Sequence, residues 1–417
     1  MSRRPRTAAG RSEGGMSKPE GISAGQIGIF LILFCIGSTP MFELGIDARQ
    51  DSWIALGAAA IAGLGVLWGY RTLQNRAPEE DLAGLFKLHF GRAIGTALGL
   101  AMGLLLAYES MRNVRDFGEL TSMTLLPETP IWCVMLLITG IAFYTVTKGV
   151  ETFFRITQIL LPALAGSYVL LLVLLLASGR IEPDRLRPML ENGLGPVLDT
   201  AFPDLLAFPF SQTIVLLVYW KYAAASKRAG AASYGAYAVV ALFLVAVNAV
   251  IMMVLGPAIA SIKALPTLEA VELIRLASFI ERLDILVTLL LYIGLYVKIS
   301  ALYLASALLL RSACGLPLPA GALMIGPIIY GAAFLEPTNT FHLWLGLELS
   351  LKLTPIYQLL LPALMLVMGI GWVKRKAERQ RAEGGRAGAG KTGAGKAGGA
   401  DGAKGGSRSG GEPRSSS

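Results

Sequence analysis

The chain has 417 residues, of which 54% are hydrophobic and only 16% charged. A soluble domain carries about 25% charged residues, and long apolar runs recur here from Ile22 to Val373, which excludes a single soluble domain and indicates an all-α polytopic membrane protein. The net charge of +9 is spread over loops and tail rather than gathered in one patch, which argues against nucleic acid as a partner.

Residues 1–21 are basic and Gly/Ser-rich and are expected to be disordered. The first apolar run, 22–45, is long enough to cross a bilayer, which takes ~20 apolar residues as a helix. It is too long for a signal-peptide core, so it is expected to remain as an anchor. Its centre reads Gly37-Ser38-Thr39-Pro40. Pro40 has no N–H to donate, and its ring disfavours helix at Thr39. Unwound backbone at membrane depth is tolerated only where it faces protein or a wet cavity. There it can hold a carboxylate, an amine or a cation. A proline-kinked helix without a ligand is the plain alternative.

Further apolar runs at 54–73, 93–124, 131–146, 153–178, 197–220, 230–256, 283–310, 320–335 and 355–373 bring the expected spans to about ten. Residues 81–90 read as an amphipathic surface stretch. With the N-terminus placed in the cytoplasm, Lys and Arg on the inner side outnumber those outside by two to one, so both termini are expected to be cytoplasmic.

The third run carries Glu109, Arg112, Arg115, Asp116 and Glu119. Arg112 and Asp116, like Arg115 and Glu119, are four apart and can neutralise each other on a helix. Arg112, Asp116 and Glu119 read as an ion-paired outer helix end, whereas Glu109 lies deeper and is a pathway candidate. The sixth run is broken twice, at Pro203-Asp204 and at Phe208-Pro209-Phe210-Ser211-Gln212. Broken spans one and six, five helices apart, fit a 5+5 inverted repeat in which each half opens with a discontinuous helix.

Lys298 stands alone deep in the eighth run, where reaching the interface is awkward. It can pair with Glu109, contact an anionic ligand group, or stand where a cation would sit. Glu281, Arg282 and Asp284 begin that run and read as capping and anchoring groups. Residues 377–417 are Gly/Ala/Lys-rich and are expected to form a disordered tail. Cys35, Cys133 and Cys314 show no metal or redox spacing, and His89 and His342 read as interfacial residues. No nucleophile elbow, phosphate loop or metal motif is present, so neither an enzyme nor a cofactor is expected.

Taken in order, the residues resemble the endospore germination permeases, the B subunits of the A/B/C germinant receptors. The resemblance covers about 21–376. It rests on Ile22-Ser23 with Gln26 ahead of Gly37-Ser38, on Asp51-Ser52-Trp53, and on Arg115 followed by Leu126-Pro127-Glu128-Thr129-Pro130. It continues through Gly149-Val150-Glu151 with Arg155, Leu186-Arg187-Pro188, Gly193-Leu194-Gly195-Pro196, Phe208-Pro209-Phe210, and Phe279-Ile280-Glu281-Arg282-Leu283-Asp284 with Lys298.

That family is similar to the amino acid–polyamine–organocation superfamily. The resemblance implies a leucine-transporter-like fold with a ligand site between helices one, three, six and eight. It implies a place in the inner spore membrane, A-type and C-type partner subunits, and a small germinant, often an amino acid. In this setting Gly37, Ser38 and Thr39 would take a carboxylate, and Pro209, Phe210 and Ser211 would form the opposing wall. Leu105, Glu109, Lys298 and Leu302 would complete the pocket, with Arg115, Gln212, Glu281, Arg282 and Asp284 as gating or structural polar groups. One departure stands out: the family commonly has glutamate where this chain has Gln212. Glu109 is expected to supply the missing negative charge. An active solute transporter of the same fold is the alternative function, with an ion pore or a structural scaffold as lesser variants.

Overall fold

The computed structural model describes residues 21–41, 44–223, 226–262, 266–272 and 283–369. The expected disordered segments 1–21 and 377–417 lie almost wholly outside them, as do Glu281 and Arg282 and the side chain of Asp284. The chain divides into Met1–Leu366 and Val367–Ser417, and of the latter only residues 367–369 are described.

Eight described helical stretches are long and apolar enough to cross a membrane. They are Ala24–Met41, Ile46–Arg76, Arg92–Thr124, Gly149–Ala177, Gly195–Tyr222, Lys227–Leu255, Ile285–Cys314 and Leu351–Gly369. Two shorter apolar helices, Ile131–Thr147 and Leu318–Ala332, take the fourth and ninth places and complete the ten expected spans. Large apolar side chains such as Ile61, Ile159 and Leu242 point outward and exposed, as they should where the surroundings are lipid rather than water. The protein is an integral membrane protein. Among the described residues the only β-pairing is an isolated bridge between Ile22 and Ala223.

The first span opens with reciprocal capping. Ser23 Oγ accepts from the Gln26 N–H at 3.2 Å, and Gln26 Oε1 accepts from the Ser23 N–H at 2.8 Å, which satisfies donors the helix leaves over. The regular helix, Ala24–Ile36, stops at Gly37, and a tight turn over Thr39–Met41 follows. The sixth span is helical over Gly195–Thr200 and turns extended at Phe202 (φ −130°, ψ 125°) ahead of Pro203. It resumes as a tight turn over Phe210–Val215 after Pro209. Both discontinuities adjoin prolines, which lack an N–H to donate and disfavour regular α-helix at the residue before them.

The third and eighth spans pack directly on each other. Ser110 Oγ donates to the Ile299 carbonyl at 3.0 Å, and Ser306 Oγ to the Gly103 carbonyl at 2.7 Å. Against this pair lies the break of the first span. A Cβ placed on Gly37 would stand 2.7 Å from the Gly294 carbonyl oxygen, so the two backbones meet with no room for a side chain.

Two junctions fix the ends of the bundle. At one end Asp81 caps the Leu82–Phe90 helix by accepting from the Gly84 N–H at 2.9 Å. It also accepts from Ser312 Oγ at 2.8 Å and pairs with Lys221, joining the ends of spans six and eight. At the other end both oxygens of Asp51 accept from the Leu190 N–H, each at 3.0 Å. Leu190 sits at φ 55°, a left-handed conformation unusual for a bulky side chain. Asp51 and Leu186-Arg187-Pro188, distant in sequence, therefore meet in one junction.

The glycine contact gives a test. Gly294→Val should lower stability by about 1–3 kcal/mol or more through overpacking, read as a fall in melting temperature in detergent. Gly57→Ala, where a Cβ meets nothing within 4 Å, should melt with the wild type.

Candidate functional site

A cavity of about 80 Å³ opens beside the two breaks. It has room for roughly half a dozen waters, or for one small solute of that bulk. Ser38 reaches it from the first span, Glu109 and Asn113 from the third, Phe208 and Gln212 from the sixth, and Lys298 from the eighth. Further wall comes from the segment leading into the tenth span, through Gly346 and Ser350, and from the first turn of that span, through Thr354.

Lys298 is fully buried. Its ammonium donates to Ser38 Oγ at 3.0 Å and lies over the Phe208 ring, 4.5 Å from the centroid, with Phe34 at 5.7 Å. Ring faces attract a cation, but they do not neutralise it. Among the described residues no carboxylate forms an ion pair with it.

Glu109 is held elsewhere. It accepts from Gln212 Nε2 at 3.0 Å and from the Tyr357 hydroxyl at 2.8 Å, and its own carbonyl accepts from Asn113 Nδ2 at 2.8 Å. Those acceptors fix the two amides, because a carboxylate or carbonyl can only receive the NH₂ end. The Gln212 and Asn113 side-chain oxygens are left buried without a partner. The wall facing them is tied down as well. Tyr108 and Ser350 hydroxyls lie 2.8 Å apart, and Thr354 Oγ1 donates to the Ser350 carbonyl at 2.8 Å. A side chain at Gly346 would overlap the Arg112 guanidinium.

Four of the site candidates named from the sequence therefore share the cavity, Ser38, Glu109, Lys298 and Gln212, and Arg112, Asp116 and Phe208, noted in the sequence for other reasons, line it too. The other described site candidates lie outside its lining. Gly37 is packed on Gly294, and the Thr39 hydroxyl is turned back to the Cys35 carbonyl at 2.5 Å. Leu105 and Leu302 belong to the apolar core. Phe210 fills the space against Gly63 and Tyr237, and Pro209 and Ser211 are buried beside it. Arg115 pairs with Glu119 at 2.6 Å, as its spacing predicts.

Two expectations need correction. Arg112 and Asp116 do not pair with each other at an outer helix end. Arg112 crosses to Glu336 at 3.4 Å and to the His342 carbonyl at 3.0 Å, and Asp116 binds His342 Nε2 at 2.8 Å. His342 is not interfacial but fully buried, because two carboxylates from separate elements enclose it. Asn113, Ser350 and Thr354 were not singled out. Asn113 had one available signal, its place four residues after Glu109 on the same helix face.

With this geometry in view, the chain can be set beside known proteins. A family model described as "Spore germination protein" matches residues 21–341. The chain belongs to that spore germination protein family. Spore germination protein KB of Bacillus subtilis (strain 168) is 27% identical over 365 residues, which span 86% of this chain and 97% of that one. Spore germination protein YndE of the same organism is 26% identical over 172 residues, 40% of this chain and 46% of that one. Among solved structures, the transporter Mhp1 in a closed conformation superposes with a TM-score of 0.65 at 13% identity, covering 84% of this chain and 78% of that chain. MhsT superposes at 0.62 and 17% identity, covering 85% and 90%. At such identities the likeness concerns the fold alone. This family member is an all-α polytopic protein of the leucine-transporter-like 5+5 class, with helices one and six discontinuous.

The unneutralised lysine yields a second test. Replacing buried charges with apolar residues of similar volume is commonly neutral or stabilising by ~1–4 kcal/mol. Lys298→Met should therefore melt no lower than the wild type. A marked drop would mean that the Ser38 hydrogen bond and the ring contacts outweigh the desolvation of the ammonium.

Proposed function

We propose that this protein is the membrane B subunit of a spore germinant receptor and binds a small germinant, an amino acid, in the cavity between spans one, three, six and eight. The observation that carries this reading is the division of charge and unpaired polarity around that cavity. Lys298 offers a buried ammonium whose one hydrogen-bond partner among the described residues is a neutral hydroxyl. Elsewhere among the lining residues, the side-chain oxygens of Gln212 and Asn113 have no donor. A zwitterion is complementary to both. Its carboxylate would take the Lys298 ammonium and Ser38, and its ammonium would take the two amide oxygens and Glu109. Buried polar groups without partners are costly, so a ligand that supplies them gains affinity there.

In this reading Glu109 stands in for the acidic group that Gln212 replaces, and the two share a hydrogen bond. The protein performs no catalytic step. It acts with A-type and C-type subunits in the inner spore membrane, with both termini in the cytoplasm. Binding signals only if the ligand favours one conformation over another, and the broken spans supply elements that can shift. Family membership supports the receptor assignment, and the unpaired polar groups of the cavity support a ligand over a scaffold without one.

Spores carrying Ser38→Trp or Lys298→Ala should need at least about ten-fold more germinant for the same response, equivalent to ~1.4 kcal/mol of lost binding. A normal dose response in both variants would remove the proposed site. Purified protein in liposomes separates sensing from transport: binding without uptake fits the receptor, and saturable, gradient-coupled uptake fits an active amino acid transporter.

A further inference from the structure

His342 is one of only two histidines in the chain, and both of its ring nitrogens face carboxylates. Nε2 lies 2.8 Å from Asp116 Oδ1, and Nδ1 contacts Glu336 Oε2. All three side chains are buried. A neutral imidazole has one N–H and one lone pair, and an ionised carboxylate can only accept. Both contacts can be hydrogen bonds only if the trio holds one proton more than a neutral ring between two carboxylates. The carboxylates sit at opposite sides of the ring, so they cannot converge on one metal ion.

The charged groups that face this ring are few. The third span contributes Asp116 and Arg112, and the loop after the ninth span contributes Glu336. Arg112 donates to Glu336 Oε1 at 3.4 Å and to the His342 carbonyl at 3.0 Å. With the extra proton the four side chains sum to zero charge; without it they carry one buried negative charge and a lone pair aimed at a carboxylate. The same segment continues into Leu343, Gly346 and Ser350, which line the cavity. Asp116 and Arg112 line it from the third span.

We propose that His342, Asp116 and Glu336 form a proton-binding site that clasps the cavity wall of residues 336–350 to the third span, so that the cavity is linked to pH. Losing the proton turns one of the two ring contacts from attraction to repulsion and loosens the wall that Arg112 and Gly346 share. The inference is independent of the receptor assignment, because it concerns a proton and not the germinant.

The direction of the linkage follows from the ring's surroundings. Burial disfavours the charged imidazole, but the hydrogen bonds to Asp116 and Glu336 outweigh it and place the pKa above the usual 6.5. Below 6.5 both folded and unfolded chains hold the proton, and the stabilisation is complete. It is lost as pH rises through the folded-state value.

The test uses the full chain in nanodiscs with ¹⁵N-labelled histidine. Two imidazoles are then visible, and His89→Gln assigns them. His342 should show both nitrogens protonated at pH 6.5, with a midpoint above that of free imidazole. Asp116→Asn and Glu336→Gln should each move the midpoint down. A neutral His342 ring at pH 6.5 flanked by two ionised carboxylates, with no protonated-carboxyl infrared band that Asp116→Asn or Glu336→Gln removes, overturns the proposal. Hydrogen exchange of the 336–350 backbone, corrected for its intrinsic pH dependence, should rise through the same midpoint. Flat protection across that midpoint would sever the cluster from the cavity wall. Melting temperatures give a third reading: the wild type should lose its advantage over His342→Gln as pH rises above 6.5 and through the midpoint seen for the ring, and parallel profiles would refute the clasp.

Discussion

A helix interrupted inside a bilayer leaves N–H and C=O groups that water cannot reach, each costing several kcal/mol if unpaired. The two broken spans here depend on side chains from neighbours to supply those partners. Thr267 Oγ1 donates to the Pro40 carbonyl at 2.5 Å, and Asn248 Nδ2 donates to the Leu44 carbonyl at 2.9 Å. In the sixth span the Tyr70 hydroxyl serves the Ser211 carbonyl at 3.2 Å and the Gln358 carbonyl at 2.6 Å. Thr213 Oγ1 turns back to the Phe210 carbonyl at 2.8 Å. The second span, the seventh span and the short Pro266–Glu272 helix are thus bound to the breaks through single polar groups, which explains why residues such as Tyr70 and Asn248 are buried in an apolar bundle.

The same economy governs the charges. A lone buried ammonium is unfavourable, and proteins keep such groups mainly where they serve a pathway or a ligand. Lys298 is eased by a hydroxyl and two aromatic faces, none of which carries charge. Glu109 is eased by an amide and a phenol. The ammonium and the carboxylate share one cavity, yet neither is satisfied by the other. That separation keeps the two charges available as separate poles, whereas a closed ion pair would leave only a neutral wall.

Much of this was legible in the sequence, because long apolar runs and internal prolines report directly on a membrane solvent and on lost backbone donors. The ten spans and both interruptions follow from those two features. The lining of the cavity was less legible. Gly37 and Thr39 looked like exposed backbone, but the close approach of Gly294 depends on how the eighth span crosses the first, which no local pattern encodes. The family resemblance implies a wall of Pro209, Phe210 and Ser211. The turn that follows places their neighbours Phe208 and Gln212 there instead. His342 lies in a short helix, Asn339–Trp344, of which it is the one buried residue, and the carboxylates that meet it come from the third span and from Glu336.

The third span shows why pair spacing alone misled. At about 100° per residue, Glu109, Arg112, Asn113 and Asp116 fall within one stripe about 100° wide, and all four line the cavity. Arg115 and Glu119 fall off its edge and pair with each other. Spacing of four allowed Arg112 to meet Asp116, but a stripe facing the protein interior offers each a stronger partner across the gap. Charged residues on a membrane helix seek the bundle interior, and once turned inward they bind what stands there: Glu336 for Arg112, His342 for Asp116. A single helical face thus carries the cavity's carboxylate at its deeper end and the proton-holding cluster two turns further on. The short lever between them is why the two sites share a wall.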